Sequence, residues 1–246
     1  MNFTIIRFLK TTFIRLKLHV FFSWLNSFLL QLLWMNKLSK WANSHKKIAF
    51  NDFPSRWDYN KRYQLYDFII EKEGLKCAIN YLEFGVANGE SFNWWMTKNL
   101  NTESRFYGFD TFTGLPEDFG PYKKGTFNTS NDIPRIKDER GVFFQGLFQQ
   151  TLPGFLKNFG SGKKTVLMLD ADLYTATLFT LTSLAPYLKE GDIIFFDEFV
   201  VPTHEFMAYQ QFIDSYYFDL ELIGAASNYY FTAFKVRNSR SIKYAG

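Results

Sequence analysis

The sequence predicts an α/β protein: a seven-stranded, mostly parallel, Rossmann-like sheet covered by helices on both faces and closed by an antiparallel hairpin. Three observations predict it. Short apolar, β-branched and aromatic runs recur between residues 78 and 236. Segments of helical periodicity separate most of them, which is the pattern of a parallel sheet with crossover helices. The last two runs are joined only by "AASN", too short for a crossover, so they should pair antiparallel at one edge.

The elements follow in order. "RYQLYDFIIEKEG" repeats apolar residues at helical spacing and stops at Gly74, a helix-end signal. Strands are expected at "AINYLEF" (78–84), "RFYGFD" (105–110), "VFFQ" (142–145), "TVLMLD" (165–170), "DIIFFD" (192–197), "LELIG" (220–224) and "YYFTAFKV" (229–236). Helices are expected at 90–99, about 151–159, 174–189 and 203–217. Residues 111–141, rich in Gly, Pro, Asn, Lys and Asp, contain no convincing element, and so long a loop is usually functional or mobile. No internal repeat is present.

Composition bounds the function. Of 246 residues, 47% are apolar and 20% aromatic, enough for a full core, which excludes disorder over most of the chain. A single cysteine, Cys77, forms no internal disulfide, and no Cys/His cluster has zinc-ligand spacing. The net charge of +4 is mild, and nucleic acid is not expected as a partner.

That charge is unevenly placed. No acid precedes Asp52, whereas Arg7, Lys10, Arg15 and Lys17 flank one side of an apolar stretch and Lys37, Lys40, Lys46 and Lys47 the other. Between them His19, Ser23, Ser27 and Gln31 recur every four positions and give the stretch a polar stripe. Residues 1–50 are therefore expected as a basic helical extension lying on an anionic membrane surface. A single membrane span, or a helix packed on the domain or in a dimer interface, are the alternatives. Residues 51–246 form the second expected unit, located in the cytoplasm at the membrane's inner face.

The candidate site lies at the strand ends. Ligands of such sheets bind beyond the carboxyl ends of the strands. Four ends carry acid: Glu83 in "YLEFGVANGES", Asp110 in "YGFDTF", Asp170 in "VLMLDADLY", and Asp197 with Glu198 in "FFDEF". A buried strand gains nothing by ending on carboxylates unless something there needs negative charge, because an unpaired buried carboxylate is costly. The turn from Gly85 to Gly89 can aim backbone N–H groups at a ligand, with Ser91 in the first turn of its helix. Asp110, about 25 residues downstream, suits ribose hydroxyls. "GVANGE" lacks the middle glycine of a dinucleotide fingerprint, so a nucleoside without phosphates fits better than NAD. Asp172 is expected to cap the helix that begins at "LYTATL".

The motifs "YLEFGVANGES", "FYGFDTFTGLPEDFG", "FQGLFQQTLP" and "LDADLYTATLFTLTSLAPYLKEGDIIFFDEF" resemble, in order and spacing, the macrocin O-methyltransferase (TylF/MycF-like) family. Its members are class I S-adenosylmethionine (SAM) methyltransferases. The resemblance covers about residues 56–237. It implies SAM at the first strand ends, with Glu83, Gly85, Gly89, Ser91, Asp110, Gln145 and Gly146 as cofactor residues. It also implies Mg²⁺ or another divalent cation on Asp170, Asp197 and Glu198, and a small-molecule or glycan acceptor bearing hydroxyls. Glu198 stands where the family usually has Asp. The family's histidine-bearing segment has no counterpart here, so Asp170 and His204, the one histidine after residue 50, are the catalytic candidates. A homo-oligomer is compatible with the family. Two rivals stay open: a glycosyltransferase using "DAD" to hold a metal and nucleotide-sugar, and a non-catalytic membrane-associated protein retaining the fold.

Overall fold

The computed structural model describes residues 2–160 and 162–239. Residues 240–246, the end of the expected 51–246 unit, lie outside the described residues. Seven strands form one sheet: β1 (Ile79–Phe84), β2 (Arg105–Asp110), β3 (Gly141–Gln145), β4 (Lys164–Leu169), β5 (Ile193–Phe196), β6 (Phe218–Ala226) and β7 (Phe231–Ser239). Their order is β3-β2-β1-β4-β5-β7-β6. The first five are parallel, and β7 runs antiparallel to both β5 and β6. The order reverses between β1 and β4, which opens a crevice at their carboxyl ends.

Helices cover both faces. α4 (Lys61–Glu73) and α5 (Glu90–Lys98) pack on one face, with Leu65, Ile69 and Trp95 fully buried. α6 (Phe148–Leu156), α7 (Tyr174–Leu184) and α8 (Glu205–Tyr216) pack on the other. α4 ends at Gly74 in the left-handed conformation (φ 65°), as its sequence predicts. α6 starts three residues earlier than expected, where the Gln150 side chain accepts from the Leu147 N–H and satisfies one of the free donors at its start. α7 stops before Pro186, which lacks the N–H needed to continue, and a 3-10 turn (Ala185–Tyr187) replaces the expected last helical turn. The hairpin strands outrun their apolar cores because register shifts at Asp219/Leu220 and Leu222/Gly224 absorb irregular residues without ending the pairing.

The N-terminal extension is helical but divided. α1 (Phe3–Arg15), α2 (His19–Phe22), a 3-10 turn (Ser23–Leu25) and α3 (Asn26–Ser44) replace one continuous helix. Among the described residues no single helix is long and apolar enough to cross a membrane, and α1 meets the 19–44 segment at a bend of 83°. The two ends behave differently. Trp34 and Trp41, seven residues apart and so on one helix face, are buried against α8 and the sheet. Trp41 meets Phe199, Tyr209 and Phe234 at ring separations of 4.8, 6.1 and 6.1 Å. Gln31 donates to Thr203 Oγ1 at 2.9 Å, so the last member of the expected polar stripe faces protein. Upstream of Trp34, by contrast, Phe3, Phe8, Ile14, Phe21, Trp24 and Phe28 all stand exposed.

Candidate active site

Parallel pairing brings the ends of β1, β2, β4 and β5 to one rim, and a cavity of about 480 Å³ opens there. Its floor depends on Gly85. This residue has φ 94°, and a Cβ built on it would lie 1.7 Å from the Asp170 carbonyl oxygen. Only glycine lets β1 end so close to β4. Gly89 (φ 76°) then caps α5, whose first turn presents Ser91 to the cavity.

Glu83 lies beneath that turn rather than in the cavity wall. It is fully buried, and the Ser91 and Tyr81 hydroxyls donate to its two oxygens. Burial pushes its carboxyl up to about 7, against the pull of those two hydrogen bonds. Glu83 thus orients Ser91. Asp110 does line the cavity, but both its oxygens are engaged by backbone. Oδ2 accepts from Val86 and Ala87 N–H at 2.7 and 2.8 Å, and Oδ1 from Phe112 N–H at 2.8 Å. It is first of all the clamp that shapes the glycine turn. Gln145 is exposed and points to Thr111 O and Asn131, while Gly146 donates its N–H to Asp110 O; neither lines the cavity, where Leu147 and Phe148 stand instead. The long loop is pinned by buried Phe112, Leu115 and Phe119, and brings Gly114, Tyr122 and Phe127 to the wall.

The acids of β4 and β5 converge with a partner absent from the sequence reading. Arg62, on α4 and almost fully buried, reaches Asp197 Oδ1 at 3.4 Å and Asp170 Oδ2 at 3.7 Å. Tyr66 donates to the same Asp197 oxygen at 3.3 Å. An arginine in an amphipathic helix reads as a surface charge, so no sequence signal marked it. Glu198 accepts from Tyr230 at 2.9 Å, and the Asp172 carboxyl lies beside it. Burial, reinforced by Asp197 and Asp172, pushes Asp170 well above the usual carboxylate range. Burial likewise raises Asp197 and Glu198. Asp172 is pushed up to about 8 by burial, with Glu198 and Asp197 adding repulsion.

One expectation fails here. Asp172 does not cap α7: it sits in the left-handed region (φ 59°), Leu173 occupies the cap position without a side-chain bond, and the Asp172 carboxyl lines the cavity. His204 supplies the bond instead, its Nδ1 accepting from Tyr174 N–H at 3.3 Å while its ring lies edge-on to Phe119. His204 does not line the cavity, and burial lowers its pKa. Its placement is that of a helix partner.

The carboxylates supply hard oxygen donors of the kind Mg²⁺ takes, and one arginine does not balance four acids. The donor chemistry fits a divalent cation. Among the described residues, however, no three His, Cys, Asp or Glu side chains are already grouped as a ligand set. Asp197 is the member most committed elsewhere.

Residues 82–199 match the family model described as a methyltransferase domain. The matched stretch runs from within β1 to just past β5 and holds all the rim acids. Among solved structures, the calicheamicin methyltransferase CalS11 is similar at TM-score 0.54 and 23% identity, covering 72% of this chain and 78% of that one. The O-methyltransferase NovP matches at TM-score 0.54 and 19% identity, covering 73% and 79%. An apo structure of CalS11, described as a TDP-rhamnose 3'-O-methyltransferase, matches at 0.52 and 19%, covering 83% and 93%. These likenesses show a shared fold. No curated protein matches the chain.

Proposed function

We propose that this protein is a SAM-dependent O-methyltransferase acting on a hydroxyl of a sugar, glycan or related polyol. The observation that carries the reading is the single cavity in which the Gly85–Ser91 turn of the methyltransferase domain faces Asp170 and Asp172. CalS11, described as a TDP-rhamnose 3'-O-methyltransferase, supports a sugar acceptor, and NovP, described as an O-methyltransferase, supports transfer to oxygen.

SAM supplies a methyl group on a sulfonium that leaves as a thioether, so the chain has mainly to align donor and acceptor. The turn from Gly85 to Ser91 holds the donor, with Asp110 fixing the turn and Glu83 fixing Ser91. The chain's own part is the acceptor's proton, which would pass to the Asp172 carboxylate as the oxygen takes the methyl group. Asp172 takes this role on geometry: it lines the cavity, and His204 has freed it from capping. Glu198, itself held by Tyr230, lies beside it.

A divalent cation on Asp170 and Glu198, with Asp197 alongside, would fix two vicinal hydroxyls and lower the acceptor's pKa. Arg62 opposes the effect of burial on Asp197 and holds it in place. Addition of EDTA should abolish turnover and Mg²⁺ restore it.

The N-terminal helices hold the enzyme at an anionic membrane surface. Upstream of Trp34 the exposed apolar side chains and the basic flanks fit such a surface, each nearby basic residue contributing about 1 kcal/mol. Co-sedimentation of the full chain with phosphatidylglycerol vesicles, but not with phosphatidylcholine vesicles, tests this.

Transfer of a labelled methyl group from SAM to a polyol acceptor tests the whole reading. Asp172→Asn should lower kcat by roughly 10²–10⁴-fold, the range for loss of a general base, with S-adenosylhomocysteine affinity unchanged. Full activity in that variant would remove Asp172 from the mechanism.

A further inference from the structure

The cavity mouth carries an aromatic wall that neither the carboxylate chemistry nor the methyl donor uses. Trp57, Tyr59 and Tyr230 all line it, and Trp57 is 59% exposed and Tyr59 39%. All three lie outside residues 82–199, the stretch that the methyltransferase model matches.

The wall is built rigidly. Its strap, residues 52–60, is tied to the β6–β7 turn from both sides. Ser55 N–H donates to Asn228 Oδ1 at 2.8 Å and Asn228 Nδ2 returns a bond to Ser55 O at 2.7 Å. Asp58 N–H donates to Ser227 Oγ at 3.1 Å. Tyr59 carries Arg62 over its ring (4.0 Å) and meets Phe231 in a T-shaped contact (5.9 Å). Tyr230 spends its hydroxyl on Glu198. Trp57 is different. Its ring meets Tyr59 tilted at 36° and Tyr230 at 85°, so these neighbours fix its plane and leave much of the indole bare at the cavity entrance. A bare, immobilised indole loses little entropy when a flat apolar surface stacks on it.

We propose that Trp57, braced by Tyr59 and Tyr230, is the acceptor subsite and that it stacks on the C–H face of a pyranose ring. The inference rests on the O-methyltransferase reading and deepens it by naming the acceptor's shape. A pyranose has one apolar C–H face and a rim of several hydroxyl donors. The site offers the matching pair, an indole face and the acceptor oxygens of Asp172 and Glu198. A catechol would satisfy the stacking with only two donors. A quaternary amine would use the rings by cation–π attraction and need no hydroxyl acceptors.

Saturation-transfer NMR on the full chain with S-adenosylhomocysteine present tests this, with L-rhamnose, D-glucose, catechol and tetramethylammonium as probes. Saturation on the pyranose C–H protons, weakened about five- to tenfold in apparent affinity by Trp57→Ala but kept by Trp57→Phe, is expected. Trp57-dependent binding of catechol or tetramethylammonium without the sugars would overturn the proposal. So would the absence of any Trp57-dependent signal across the panel. S-adenosylhomocysteine affinity, measured by calorimetry in wild type and Trp57→Ala, should be equal. If it binds neither, the methyltransferase reading fails separately from the subsite.

Discussion

Gly85→Ala is the sharpest single perturbation of the site. The new Cβ would fall 1.7 Å from the Asp170 carbonyl oxygen, about half of an ordinary contact distance, and 2.6 Å from its carbon. Backbone, not a flexible side-chain tip, is the obstacle, so β1 and β4 must separate at the rim. Two costs combine. Holding a non-glycine residue at φ 94° costs about 1–3 kcal/mol, and overpacking a filled position adds about 1–3 kcal/mol. A loss of roughly 2–6 kcal/mol in unfolding free energy is therefore expected by urea titration. Calorimetry on the folded fraction should show S-adenosylhomocysteine binding reduced further than stability alone explains, because the turn and Asp170 both move. A variant with wild-type stability and affinity would refute the claim that this close approach shapes the donor site.

Other consequences follow from particular contacts. Asp110→Asn places an amide N–H₂ against backbone donors and should cost about 1.5–3 kcal/mol of stability along with donor affinity; an affinity loss with unchanged unfolding would return Asp110 to a purely ligand-holding role. Glu83, raised to about 7 from 4.5, binds its proton in the folded protein when the unfolded chain has released it, so it favours folding less as pH rises from 4.5 to 7. Stability of Glu83→Gln relative to wild type should therefore increase by roughly 3 kcal/mol across that window, and a flat difference would contradict the burial account. Trp41→Ala should cost about 3–5 kcal/mol, while Trp24→Ala, at a 76% exposed position, should leave stability unchanged and weaken vesicle binding. Equal effects at the two tryptophans would mean the extension is not divided as described.

The sheet was legible because its strands are dense in Val, Ile and Phe and end on acids, and parallel pairing alone then gathers Asp110, Asp170 and Asp197 at one rim. The residues that organise those acids were not legible. Arg62 has the spacing of a surface charge, and only the crossing of α4 over β4 and β5 buries it. Asp172 looked like a cap because capping residues and site acids are the same residue types; its left-handed backbone, which turns the carboxyl into the cavity, leaves no trace in a non-glycine residue. Gln145 fell just beyond the cavity because it ends the edge strand β3, where its side chain turns to the exposed surface. In the extension, apolar composition could not say whether a face meets protein or lipid. The spacing of Trp34 and Trp41 was the available clue, and it also means that removing all fifty residues would uncover the core, so truncation belongs before Asn26.

Calorimetric titration of the full chain with S-adenosylhomocysteine and, separately, with UDP-glucose tests the central claim most directly. One S-adenosylhomocysteine per chain, competed by SAM and lost in Gly85→Ala, with no heat from UDP-glucose, is the result predicted. Saturable binding of the nucleotide-sugar with none of S-adenosylhomocysteine would contradict it.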